Sequence, residues 1–468
     1  MERRLQHIIP ARRDVLKWGG AALAGAWAER VMWPLQAKAA GKANPRGTAR
    51  NCIMIELAGA MNQASCFDFK EMKWMPKDLE PRKLTSDITL SKTLFPRLGD
   101  HINKIALTRA TKAGEVVHFT GQYHTQTGRA MNIALAREIP ALGSVIAYEL
   151  DSRRKASDTF PSYVSASLTT ARAGSIGSGF LPVRFTGLDL DPTTVFETFS
   201  GNTDGLNAVL EERWRLLEQF AKVSQAERDS LGKNAADYQS FYNEARKLRF
   251  DPKWVETFKT TPEEKKKYGE DKLGMGCIMA KNLIAANAGT HFVYVYGGDI
   301  WDHHGKMLDR TGRNNLYVTA NGLDAALSSL LEDLSRMPGA EPGKTLLDET
   351  LILATSEFGR TPEMNPASGT DHYPGVYTQV WAGGGVKGGQ AIGKTDEVAG
   401  KPIDNGWNHK QQPWMDNAVA TMYSALGIDW MKELTNTPSG RAYVYVQSAP
   451  VGIGAEFIAN DEIAPLFG

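Results

Sequence analysis

At 468 residues the chain exceeds what one small core needs, yet no break in composition divides it into two independent domains. Its 54 Lys/Arg and 53 Asp/Glu leave no basic excess of the kind a nucleic-acid binder shows. The three cysteines, Cys52, Cys66 and Cys277, cannot all pair, which excludes a disulfide framework in so long a chain.

The first 39 residues read as an export leader. Arg12-Arg13-Asp14-Val15-Leu16-Lys17 has the form of a twin-arginine motif, a modestly apolar stretch follows from Trp18 to Trp33, and Ala37-Lys38-Ala39 offers a small-x-small cleavage site. Glu29 and Arg30 interrupt the apolar stretch, making it too short and too polar to span a membrane. Removing residues 1–39, with their seven Lys/Arg and three Asp/Glu, shifts the net charge from +1 to −3. The expectation is a periplasmic or secreted protein without a transmembrane anchor after cleavage. Twin-arginine export carries folded proteins, which suits unpaired cysteines.

The remainder, 40–468, reads as a single α/β domain with an insertion around 158–270. After a polar linker, Asn51-Cys52-Ile53-Met54-Ile55-Glu56-Leu57 is a buried strand that breaks into a turn of small residues. Asn62, Ser65, Cys66 and Asp68 in that turn are placed to touch a ligand, and Ser65 or Asn62 serves equally well as a helix cap. A short strand over 102–109 leads into a stretch of glycines and hydroxyls carrying His118 and His124. Residues 139–150 read as a helix entered at Pro140. Residues 158–198 form a surface subregion, and 205–247 read as a helix whose apolar stripe serves packing.

A helix over 274–288 feeds the strand His291-Phe292-Val293-Tyr294-Val295-Tyr296, the step of a doubly wound sheet. Another helix over 322–336 stops at Pro338-Gly339. Strands follow over 346–355 and 377–381, then a helix over 416–427 and a wrapping extension over 449–468.

Three loops near strand ends hold metal-capable residues: Asp302-His303-His304, Ser356-Glu357-Phe358-Gly359-Arg360, and Asp371-His372. In an open α/β sheet, ligands gather beyond the carboxyl ends of strands, where loops converge without breaking the ladder. Asp302, His304, Glu357, Asp371 and His372 supply imidazole and carboxylate together, a mixture suiting zinc or manganese better than calcium or magnesium, which favour all-oxygen shells. His303, next to His304 in an extended segment, is expected to point elsewhere.

Lys267-Tyr268-Gly269, Trp301-Asp302-His303-His304, Glu357-Phe358-Gly359-Arg360-Thr361-Pro362, Asp371-His372 and the glycine run 383–389, behind the twin-arginine leader, closely resemble the domain-of-unknown-function 1501 family. That family is similar to the sulfatase-like branch of the alkaline phosphatase superfamily. The resemblance implies an alkaline-phosphatase-like three-layer α/β sandwich, with a mostly parallel central sheet, helical and loop insertions, and one or two divalent metals. It implies that Asp302 and His304 share a metal with His372, and that Glu357 and a first-loop residue serve a second. The first loop departs from the family pattern: Ser65 replaces the expected aspartate, and Cys66 stands near the superfamily's nucleophile position without a Cys-x-Pro-x-Arg context. Asp68 or Glu357 is expected to compensate in part as a metal ligand.

The function expected from the sequence is an exported metal-dependent hydrolase of phosphate or sulfate esters, acting on a small-molecule or glycan ester. Ser65, Cys66 or a water is its nucleophile, Arg360 holds the substrate anion, and His118 or His124 protonates the leaving group. The alternatives are a non-catalytic cell-envelope binding protein that keeps the fold and one metal, and a metal-dependent phosphomutase.

Overall fold

The computed structural model describes residues 43–200, 251–447 and 460–468, with short pieces between them. The leader, nearly all of the helix read over 205–247, and part of the extension over 449–468 lie outside the described residues.

Among the described residues the main sheet has eight strands: β1 (Asn51–Glu56), β2 (Ile105–Thr111), β3 (Tyr163–Ala166), β4 (Leu188–Leu190), β5 (Phe292–Tyr296), β6 (Thr350–Thr355), β7 (Tyr377–Ala382) and β8 (Gln390–Ile392). Their order is β8-β2-β7-β6-β1-β5-β3-β4. Every pairing is parallel except those of β7, which is antiparallel to both β2 and β6. The near-continuous apolar runs read from the sequence suit strands covered on both faces, and β1, β5 and β6 are buried along their whole length.

Because successive side chains leave a strand on opposite faces, each central strand feeds two cores. On one face Ile53, Ile55, Val293, Val295 and Ile352 pack with Cys277 and Ile278 of α3 (Lys272–Ala286) and Leu323, Leu327 and Leu330 of α4 (Leu316–Arg336). On the other, Cys52, Met54, Phe292, Tyr294 and Leu353 meet Leu142, Val145 and Ile146 of α2 (Leu142–Leu150) and Ala418, Val419 and Met422 of α5 (Met415–Ala425). The result is a three-layer α/β sandwich, stabilised by roughly 1.5–3 kcal/mol for each large apolar side chain fully buried. All three cysteines are free and buried.

Side-chain caps start the two helices of the first face. The Asp271 carboxylate accepts from Gly274 N (2.8 Å) to start α3, and Asn315 accepts from Val318 N (3.1 Å) to start α4. The cap at Asn315 places the start of α4 at Leu316, six residues ahead of position 322, where the sequence pattern opens this helix. A larger difference concerns the stretch with His118 and His124, where no helix is expected from the sequence. It folds as α1 (His118–Thr127), a helix of polar residues that is nonetheless buried. Its side chains find partners: Gln122 donates to Asp299 (2.7 Å), Thr125 to Glu56 (2.7 Å), and Gln126 to Gly174 O (2.9 Å). A helix satisfied through such partners needs no apolar stripe.

Among the described residues, no helix is long and apolar enough to cross a membrane.

Candidate metal centre

The reversed direction of β7 decides where the site forms. β1, β2, β5 and β6 all end at one edge of the sheet; β7, running the other way, begins there. The segment that enters β7 therefore meets the loops that leave its neighbours. It carries His372, which pairs with Arg360 in a short antiparallel ladder just beyond β6. His118 opens α1 after β2, Asp302 and His304 lie in the loop after β5, and Glu357 follows β6.

Close packing holds these loops in register. Gly59, just beyond β1, has φ +97°, and a Cβ there would lie 2.8 Å from Trp301 C and 2.9 Å from Trp301 N. Its amide donates to Glu357 Oε1 (2.9 Å), and its carbonyl accepts from the Arg360 guanidinium. Gly121 lets α1 approach β6: a Cβ there would stand 2.9 Å from Glu357 Cβ.

At the centre, one ligand atom from each of His118, Asp302, His304 and His372 lies within 4.8 Å of the others. Asp302 Oδ1 is 3.2 Å from His118 Nε2, 3.1 Å from His304 Nε2 and 3.6 Å from His372 Nε2. Each histidine turns its other nitrogen to an acceptor. Nδ1 of His118 meets Glu357 Oε1 (2.6 Å), that of His304 meets Asp371 Oδ1 (3.1 Å), and that of His372 meets Val116 O (2.7 Å). An acceptor at Nδ1 places the ring proton there and leaves the Nε2 lone pair facing inward.

The Nε2 atoms of His304 and His372, both lone-pair acceptors in that tautomer, stand only 2.9 Å apart. His118 Nε2 is buried and faces the same carboxylate oxygen. Three inward lone pairs around a carboxylate oxygen call for a cation. Three imidazoles and one carboxylate fit the four-coordinate shell of zinc or a related transition ion. His118 is 3% exposed and His304 46%, so the cluster has a closed floor and one open side.

Charge reinforces the arrangement. Burial disfavours an imidazolium at His118, but hydrogen bonds and charge from Asp302 and Glu357 outweigh it and push the group up to about 9. Burial works against ionised Asp302 too, yet His118, His372 and Arg360 hold it well below the usual carboxylate range.

The family profile described as "Protein of unknown function (DUF1501)" matches residues 49–451. The chain belongs to the DUF1501 family. No curated protein matches the sequence. Among solved structures it is similar to a protein in the alkaline phosphatase superfamily from Vibrio parahaemolyticus, with 9% identity and a TM-score of 0.39 over 82% of this chain and 69% of that one. It is similar to the lipoteichoic acid synthase LtaP from Listeria monocytogenes, with 9% identity and a TM-score of 0.39 over 83% and 76% of the two chains. A third likeness is to the PsFucS1 sulfatase from Pseudoalteromonas sp., with 11% identity and a TM-score of 0.36 over 90% and 72%.

In this DUF1501 protein the residues expected at the site separate into three groups. Asp302, His304 and His372 converge, and His118, expected as a proton donor, joins them at the same point. Glu357 and Asp371, expected as ligands, stand one step back as Nδ1 acceptors. Arg360, expected to clamp a substrate anion, is 1% exposed and turned inward. It donates to Ala60 O (3.0 Å), Thr370 O (2.8 Å), Gly59 O and Asp302 Oδ1 (2.6 Å), so its fork ties the loops together.

The third group is engaged elsewhere. Ser65 closes a turn on Asn62 through its amide (2.9 Å) and hydroxyl (3.0 Å). Cys66 is buried in the apolar core with Phe67 and Phe95, and burial pushes its thiol up to about 12, where the thiolate needed for attack is absent at neutral pH. Asp68 pairs with Lys70 (3.2 Å) and Arg109 (3.4 Å) and accepts from Thr395. His124, two turns along α1 from His118, bonds Asp416 of α5 (2.9 Å). His303 turns away, as its place beside His304 leads one to expect, to Asn314 (3.2 Å), and burial lowers it to about 4.

Three residues that sequence reading passed over belong to the surroundings. Arg172, 44% exposed beyond β3, bridges Asp299 (2.6 Å) and Asp302 Oδ2 (3.0 Å). Asp299 accepts further from Gln122 (2.7 Å) and Tyr296 (2.8 Å). Glu56, at the end of β1, is wholly buried between Thr125 (2.7 Å) and Tyr294 (2.8 Å), and burial followed by the charge of Glu357 pushes it up to about 8. A carboxylate ending an otherwise apolar strand was the available signal for Glu56. Arg172 left none, because it stands in a segment that reads as surface.

Proposed function

We propose that this protein is an exported hydrolase of phosphate or sulfate esters that depends on one divalent transition metal. The observation that carries the reading is the inward convergence of three Nε2 lone pairs on Asp302 Oδ1, each ring held by an acceptor at Nδ1. The resemblance to the sulfatase-like branch points to the same ester chemistry. His118, Asp302, His304 and His372 would hold the ion, which when bound would act as a Lewis acid toward an ester oxygen.

The chain's own residues supply the rest. Glu357, Asp371 and the Val116 carbonyl orient the histidines, a support whose loss in comparable sites weakens metal binding by roughly 10–100-fold. Arg360 holds Asp302 and the first loop in place. Arg172, half exposed at the open side, presents the guanidinium N–H groups left over from its two aspartates to the ester's anionic oxygens. Water is the attacking group, since Ser65 and Cys66 are engaged away from the cluster. Export rests on the twin-arginine leader and cleavage after Ala39; replacing Arg12 and Arg13 by lysine should leave precursor in the cytoplasm, and unchanged export would refute it.

Elemental analysis of the purified protein, combined with a screen of phosphate and sulfate esters before and after chelation, tests the whole reading. We expect close to one equivalent of zinc or manganese and ester hydrolysis that chelation removes and metal restores. Protein that takes up no divalent ion from metal-replete medium would overturn it. Metal-loaded protein inert toward every ester would leave the centre standing and overturn the hydrolase.

A further inference from the structure

The opposite edge of the sheet holds a cavity of ≈430 Å³ bounded by Arg50, Arg153, Lys155, Asp158 and His291. Arg50 immediately precedes β1 and His291 immediately precedes β5, so the cavity lies at the amino ends of the strands whose carboxyl ends carry the metal centre. A strand's length, about 20 Å at 3.3 Å per residue, separates the two.

Three cations and one carboxylate face this space. Arg153 donates to the carbonyls of Leu426 (3.0 Å) and Gly427 (3.3 Å), which hold its guanidinium in place while other N–H groups stay available. Behind the wall, Arg154 donates to the carbonyls of Gly289 (3.1 Å), Asp158 (2.7 Å) and Phe160 (2.8 Å), which stiffens it. The Lys155 ammonium has no hydrogen-bond or ion-pair partner among the described residues. Arg50 has Glu349 at 4.0 Å, a loose pair.

The carboxylate on the wall is Asp158, whose Oδ2 accepts from the Lys155 amide (2.8 Å); Glu349, off the wall beside Arg50, is occupied by the amides of Ala340 (2.8 Å) and Glu341 (2.6 Å). His291 turns Nδ1 toward Arg50 O (3.2 Å) and Asn51 Oδ1 (3.3 Å), both acceptors, which makes its buried and unpartnered Nε2 an acceptor as well. The wall is thus net positive, in a volume of ligand scale rather than that of a single ion.

We propose that this cavity binds a small organic phosphate or sulfate ester, with Arg50, Arg153 and Lys155 on the oxyanion and the organic part in the remaining volume beside His291. The site is separate from the metal centre and does not depend on the proposed hydrolysis. Glucose 6-phosphate is a suitable probe for isothermal titration, with sodium phosphate and sodium sulfate as inorganic arms. It should bind the wild-type chain and Asp302→Ala/His304→Ala alike. Arg50→Gln/Lys155→Gln, exposed changes that leave the fold intact by circular dichroism, should weaken it about tenfold or more, as loss of charge-assisted hydrogen bonds does. No binding to wild type overturns the proposal. So does binding lost in the Asp302/His304 variant but kept in the Arg50/Lys155 variant, or inorganic ions binding as tightly as the sugar phosphate.

Discussion

The turn after β1 and the loops that meet at β7 look alike in sequence: both follow or adjoin apolar strands and both are rich in residues able to bind or attack. Their polar atoms have opposite fates. In the first turn, Ser65 is bonded to Asn62, Asp68 to Lys70 and Arg109, and Cys66 is enclosed by apolar side chains. At β7 the outer nitrogens of three imidazoles are satisfied and their inner nitrogens face one another. A group whose valences are met within the fold is structural; inward-facing ring nitrogens gathered around a carboxylate are groups that could hold a metal ion.

The sharpest way to break this comparison is to remove the carboxylate at the centre. Asp302→Ala should take metal stoichiometry from about one toward zero and abolish ester hydrolysis, measured by elemental analysis and initial rates. It also strips Arg360 of its only carboxylate at hydrogen-bond distance among the described residues, so a fall in melting temperature should accompany the loss.

A smaller effect is expected one step back from the ion. Glu357→Gln keeps an oxygen for the Gly59 amide but weakens the hold on His118 Nδ1, and metal affinity in competition with a chelator should fall roughly 10–100-fold. Unchanged affinity would reduce Glu357 to a packing residue.

The pH dependence separates proton from metal at the same nitrogen. In the apoprotein His118 titrates near 9, above its unfolded value near 6.5. Its proton therefore stabilises the apo fold fully below about pH 6.5, and that contribution is lost as pH rises through about 9. Metal requires the neutral ring, so metal uptake should strengthen over the same window. The gap in melting temperature between metal-loaded and chelated protein should widen from pH 6.5 to 9; a gap that narrows argues against His118 as a ligand.

The smallest effects belong to the first turn. Cys66→Ala should leave metal content and rate unchanged while costing about 1 kcal/mol of stability or somewhat more, as core truncations do. Ser65→Asp, which the family pattern suggests would add a second metal, instead sets a buried carboxylate beside Asn62 Oδ1, and the expected outcome is destabilisation without added metal. A second equivalent of bound metal in Ser65→Asp would show that the turn rearranges and that the contrast between the two regions is overstated.

Much of this was legible in the sequence. The buried strands announced themselves through unbroken apolar runs, because a strand covered on both faces has no polar side to show. That Asp302, His304 and His372 lie together was readable from the placement of ligand-type residues beside strands. The place of His118 beside them was not, since its stretch lacks an apolar period: α1 is a helix held by buried polar partners drawn from distant segments such as Glu56, Asp299 and Asp416. Nor does local sequence reveal that β7 runs backwards, which brings His372 to the edge where Asp302 and His304 emerge. Arg360 and Cys66 carry reactive side chains wherever they stand; only tertiary packing decided that one ties loops together and the other fills the core. Residue type and period are local properties, so the chain alone determined the strands and the supply of ligands. Whether a polar atom is satisfied depends on partners hundreds of residues away, and that was decided by the fold.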